Sequence, residues 1–212
     1  MPSNLPFLNR EQLGTTSTSN IKEALRAWII ETKPHCLKHP HGFYVMLLNR
    51  SDDEEWRLHL WPSSHRQISG MPAGIHLHDT HVSSRILAGK LTNIQYTSTL
   101  LDAGTTSGHP VYDVIYKGDR YVRRTTNTLR KTNVREAVSE TERRCLRVGE
   151  SYRIERYTLH EAVVDPDVAT CTLVCMHDRA EGVVKLIGID GYPDELSFVR
   201  TEHDGAIFLD YL

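Results

Sequence analysis

Three observations predict an all-β barrel or sandwich carrying an N-terminal helical arm. From Gly42 onward, short segments rich in Val, Ile, Tyr and Thr alternate with turn signals, the texture of many short strands. Ahead of them a single stretch has helical periodicity. The 212 residues are 39% hydrophobic and 25% charged, a globular balance with enough chain for one large core. The organisation expected is an arm and helix over residues 1–41 and a barrel over residues 42–212.

Residues 1–19 are polar, rich in Ser, Thr and Asn, and are expected to form a loose arm. Asn20 suits a helix cap, and Ile21, Leu25, Trp28 and Ile29 then share one face of a helix over Ile21–Thr32. Pro34 and the His-Pro-His-Gly run at 39–42 end it. Strands are expected at Phe43–Leu48 and, after the Ser51-Asp52-Asp53 turn, at Trp56–Trp61, which Pro62-Ser63-Ser64 closes. Ile86–Tyr96 folds back at Gly89-Lys90. Tyr112–Tyr116 and Tyr121–Arg123 flank Gly118-Asp119. Val148-Gly149 opens a turn before Tyr152–Leu159. Cys171–Met176, Val183–Ile189, Phe198–Arg200 and Ala206–Leu209 complete the set. Residues 130–147 suit either a short helix or an exposed strand with a loop.

Twenty-five basic and 27 acidic residues leave a net charge of −2, so no basic field for nucleic acid is expected. No apolar run approaches about 18 residues, so no membrane partner is expected. The opening MPSNLPFLNREQLG has neither a basic n-region nor an apolar h-region. Cys36, Cys145, Cys171 and Cys175 fit neither a disulfide framework nor a zinc ribbon. A cytoplasmic setting with reduced thiols is therefore the expectation. A homodimer is compatible with edge strands.

The unusual count is histidine, at 12. Imidazole is the commonest metal ligand. In Gly70-Met-Pro-Ala-Gly74-Ile-His76-Leu-His78-Asp-Thr-His81, His76 and His78 point the same way if the segment is extended. Two imidazoles two residues apart can grip one ion from one side, and a third ligand must come from a distant strand. Gly149-Glu-Ser-Tyr-Arg-Ile-Glu-Arg-Tyr-Thr-Leu-His160 is again a glycine turn feeding a strand that ends in histidine.

These segments resemble the two motifs of the cupin superfamily, a double-stranded β-helix (jelly-roll) barrel. Gly70, His76, His78 and Gly89 follow G-x5-H-x-H-x3,4-E-x6-G, with Val82 near the position of the glutamate. Gly149 and His160 match the ends of G-x5-P-x-G-x2-H-x3-N, whose Pro-x-Gly and Asn are absent. Trp56-Arg-Leu-His-Leu-Trp61-Pro62, Ile75-His76-Leu-His78-Asp, Ile86-Leu-Ala-Gly89 and Leu159-His160 are similar to cysteine dioxygenase and related thiol dioxygenases, over roughly residues 43–180. The resemblance implies His76, His78 and His160 as ligands of Fe(II), O2 as co-substrate, and a small thiol or otherwise anionic substrate. Three neutral imidazoles leave more positive charge on the ion than a carboxylate would, which favours an anionic ligand. The family's Ser-x-His-x-Tyr relay is replaced by Thr170-Cys171-Thr172-Leu173-Val174, and its carboxylate-binding arginine falls near Tyr44. The same triad suits a non-redox isomerase, lyase or hydrolase on Zn, Ni or Mn, and a binding cupin without turnover.

Further candidates are weaker. Arg85 and Arg57 could clamp a carboxylate, and both also suit solvated charges. Tyr44, Tyr96, Tyr112, Tyr152 and Tyr157 could present phenols to a substrate, although tyrosine in barrels is commonly packing. Cys171 and Cys175 share a strand face, either lining the barrel or buried as small apolar groups. His81, three residues beyond His78, suits a turn histidine or an alternative ligand. Glu161, adjacent to His160, is expected to face away as a surface carboxylate.

Overall fold

The structure is a computed structural model describing Leu5 and residues 7–63, 74–117, 126–182 and 184–212. Gly70, Gly118-Asp119, Tyr121–Arg123, Ser64 and Val183 lie outside the described residues. A helix, α1 (Thr18–Thr32), precedes β1 (His35–Lys38), β2 (Tyr44–Arg50), β3 (Glu54–Trp61), β4 (His81–Ala88), β5 (Lys90–Leu100), β6 (His109–Lys117) and β7 (Thr126–Arg147). There follow β8 (Ser151–Ile154), β9 (Leu159–Val164), β10 (Thr170–His177), β11 (Lys185–Ile187), β12 (Glu195–Val199), β13 (Glu202–Asp204) and a 3-10 turn at Gly205–Phe208. No described helix is long and apolar enough to cross a membrane.

The strands form two antiparallel sheets, a seven-stranded one in the order β13-β1-β2-β3-β10-β4-β8 and a six-stranded one in the order β11-β6-β7-β5-β9, with β12 paired to β7 off that path. They face each other as the predicted jelly roll. Strand β1 lies ahead of position 42 yet joins the sheet between β13 and β2. The ambiguous 130–147 stretch is the body of β7, which pairs with β6 through its first half and with β5 through its second. Gly89 makes the β4–β5 turn at φ +73°, and a Cβ there would stand 2.3 Å from the Ala169 carbonyl oxygen, so only glycine fits.

The outer face of the seven-stranded sheet carries the main apolar core. Trp56, Leu58 and Leu60 of β3 and Cys171, Leu173 and Cys175 of β10 pack against Ile21, Leu25, Trp28 and Ile29 of α1. The helix starts at Thr18 with Ser17 at its cap position, so Asn20 lies inside it rather than capping it. The described part of the arm is docked, not loose: Leu5, Phe7 and Leu13 are buried in the same core. The expected strand at Ala206–Leu209 is instead part of the 3-10 turn. Asp204 accepts the Ala206 N–H at 2.8 Å and Phe208 is buried in the core beneath α1.

Candidate metal centre

The centre begins as a backbone problem. Residues 75–77 run between β9 and β11, the two end strands of the six-stranded sheet. His76 and His160 exchange backbone hydrogen bonds at 3.0 and 2.9 Å. On the other side, Ile187 donates to Ile75 and Leu77 donates to Lys185, at 2.9 and 3.1 Å. A directly opposed antiparallel pair projects its side chains to one face, so His76 and His160 point together. His78 returns to that face two residues on. Its carbonyl accepts the Tyr157 N–H at 2.8 Å. The following turn is held by Asp79, whose carboxylate takes two Arg179 contacts at 2.9 and 2.8 Å.

Each of His76, His78 and His160 offers a ring nitrogen within 4.8 Å of the other two. The Nε2 atoms of His76 and His78 are 3.2 Å apart. His76 Nδ1 lies 2.7 Å from the Gly74 carbonyl, and His160 Nδ1 lies 2.9 Å from the Thr158 carbonyl. A carbonyl only accepts, so both Nδ1 atoms carry the proton and both Nε2 lone pairs face the centre. Fixing a ligand's tautomer through its far nitrogen is how proteins orient imidazole for a metal. Burial lowers the pKa of all three rings, that of His160 to about 3, with the neighbouring His76 also contributing. Neutral, converging and pinned imidazoles fit a divalent metal ion.

The triad stands in the wall of a cavity of about 420 Å³ between the sheets. Of the candidates beyond the triad, Arg57 lines this cavity, and Glu55 engages its guanidinium. Arg85, Tyr44, Tyr96 and Cys171 do not line it. Arg85 points to the outer face, donating to the Leu13 carbonyl at 2.5 Å and to Thr18 Oγ1 at 3.0 Å, so it fastens the arm. Tyr44 also faces outward, edge-on to His203 with ring centroids 5.1 Å apart. Cys171 is fully buried under α1, and burial pushes its thiol up to about 12. On β10 it is Val174 and Met176 that line the cavity. Tyr96 gives its hydroxyl to Glu161. Glu161 itself lines the cavity rather than facing away.

His81 is apart from the triad, 2.6 Å from Glu155 through Nδ1 and stacked on His177. Tyr152 lines the cavity, whereas the hydroxyls of Tyr112 and Tyr157 are spent on the carbonyls of Pro193 and Glu181.

Sequence reasoning missed His39, His41, His59, Asn93 and Arg200, all in the cavity wall. His41 stands edge-on to His76 at 5.6 Å, and Phe43 stacks between His39 and Trp61 at 4.4 and 4.8 Å. One signal was available for His59: the alternation that buries Leu58 and Leu60 against the helix puts Arg57, His59 and Trp61 on the opposite face. His39 and His41 read only as helix-ending punctuation.

No protein-family model and no curated protein matches this sequence. Among solved structures, the DMSP lyase DddQ from Ruegeria pomeroyi DSS-3 has a similar backbone, with a TM-score of 0.44 and 14% identity, covering 88% of this chain and 81% of that one.

Proposed function

We propose that the protein is a metal-dependent oxygenase that holds Fe(II) on His76, His78 and His160 and turns over a small anionic substrate with O2. One observation carries this reading: three neutral imidazoles, two of them with their outer nitrogens tied to carbonyls, converge beside a cavity between the sheets. Three protein ligands on one side leave coordination positions for substrate and O2, and the bound ion would supply the electron exchange between them. The chain's own residues do the rest. Phe43 and Trp61 stack as an apolar part of the wall, which strengthens electrostatic contacts beside it by lowering the local dielectric. Arg57, which Glu55 engages, and Arg200 place guanidiniums in the wall, donors that suit an anion. The test is metal removal, anaerobic reconstitution with Fe(II), and measurement of O2 uptake with thiols and hydroxy acids. Uptake that needs both iron and substrate is expected, and none with any such substrate would exclude the oxygenase.

A second reading is a non-redox metal-dependent lyase or isomerase on Zn, Ni or Mn. It is favoured by β10, which carries Thr172 and Val174 where the resemblance places the His and Tyr of the thiol dioxygenase relay. Metal content of protein purified without added metal separates the two: zinc retained through chelation, with no O2 uptake, supports the second.

A further inference from the structure

One apolar cluster between the sheets belongs to a single sheet. Val82 of β4, Ile154 of β8, and Val174 and Met176 of β10 form it, with Tyr152 of β8 packed against them. Among the described residues every member comes from the seven-stranded sheet. The register builds the patch. Val82 pairs with Met176 on one side and with Ile154 on the other, and one level along Val174 and Tyr152 flank Ser84. Directly opposed residues on antiparallel strands share a face. The neighbouring cluster is built differently: Trp61 and Ile86 of the seven-stranded sheet meet Leu91 and Leu146 of the six-stranded one, so there the sheets close on each other. At the first patch they do not, and its members line the cavity that holds the triad. Val82 and Met176 keep 7% and 6% of their surface exposed, whereas Ile86 and Leu91 keep none.

Apolar surface left against water forgoes the stabilisation of burial, and a ligand's apolar body that displaces that water gains it. The patch crosses three neighbouring strands, β10, β4 and β8, a span of about 10 Å at the strand spacing of a sheet, which accommodates an alkyl chain of about six carbons. Arg57 pairs with Val174, so a guanidinium engaged by Glu55 stands at the edge of the patch. A cationic group on the chain would be stripped of water against carbon.

Resting on the metal reading above, we propose that the substrate class is a small acid with an apolar body and that Val174 and Met176 are specificity-determining residues. The acid group lies at the triad and Arg57, and the body lies on Val82, Ile154, Val174 and Met176. A compact polar acid leaves the patch uncovered and binds less well.

Acetate, butyrate, hexanoate and ε-aminohexanoate (the same chain ending in ammonium) test it. Binding of each is measured by calorimetry on full-length protein, both zinc-loaded and metal-stripped, alongside the zinc stoichiometry. In the zinc-loaded wild type, affinity should rise roughly threefold with each methylene from acetate to hexanoate, most of the gain of full burial. The ammonium should weaken binding at least roughly tenfold relative to hexanoate. Metal-stripped wild type should bind every acid more weakly with the same rise. Val174→Thr and Met176→Gln introduce polarity with little change of shape, and each should flatten the rise while zinc binding stays stoichiometric. Leu58→Ala, on the outer face, should leave the rise unchanged, which separates contact from stability. Affinity that is flat from acetate to hexanoate in the zinc-loaded wild type overturns the proposal. So does a rise that survives both Val174→Thr and Met176→Gln, or equal binding of hexanoate and its ammonium analogue. Wild type that takes up no zinc yet shows the rise overturns the metal reading alone.

Discussion

The two faces of the seven-stranded sheet differ more than any two strands of it. Along β3, Trp56, Leu58 and Leu60 face α1 in a closed apolar core, while Arg57, His59 and Trp61 face the cavity. Along β10, Cys171, Leu173 and Cys175 take the first side and Val174 and Met176 the second. Successive side chains on a strand point to opposite faces, so one residue of displacement exchanges a structural role for a functional one. The outer face supplies stability and the inner face supplies chemistry, and substitutions on the two should be separable.

The largest separation is expected at the triad. His160→Ala should abolish stoichiometric zinc or iron binding in calorimetry while the circular dichroism of the barrel is retained. Loss of the fold instead would show that the faces are coupled. Acid comes next. His39, His41, His59, His76, His78 and His160 all have pKa values lowered by burial below the ordinary 6.5. The unfolded chain therefore takes up protons that the fold refuses, so stability is full above 6.5 and is lost as pH falls below it. Urea midpoints of metal-stripped protein should fall steadily from pH 6.5 to about 4. On the outer face His177 shares in this, its pKa also lowered by burial, while Cys171 and Cys175 are held up to about 12 and do not titrate in this range. On that face, Leu58→Ala should cost about 2–5 kcal/mol in urea unfolding with zinc stoichiometry unchanged. Arg85→Met should cost about 1–3 kcal/mol by releasing the arm, seen as faster proteolysis near Leu13, again with the metal retained. Smallest of all, His81→Ala should leave metal stoichiometry unmoved.

Most strands from Phe43 onward, the turns at Gly89 and Gly149, and the convergence of His76, His78 and His160 were legible because they rest on local period and on two spaced motifs, whereas β1, β13 and the break after Ile154 were not. What escaped was set by contacts distant in sequence. Leu5, Phe7 and Leu13 show no period, yet the core beneath α1 takes them in. Arg85 suited either a clamp for a ligand or a solvated charge because its charge is visible and its face is not; the structure spends it on the Leu13 carbonyl. Ile154 and Met176 carry no motif at all, and they share one patch only because Val82 pairs with both.

The stitch at 75–77 has a consequence for how such a protein can change. His76 rides on the few residues that also join the ends of a sheet, its backbone bonded to that of His160, so closure of the wall and placement of these two ligands are a single event. Mutations that retune the metal there will also loosen or tighten the seam, and evolution toward a new substrate has freer ground on β8 and β10, where a side chain can be exchanged without unfastening that seam.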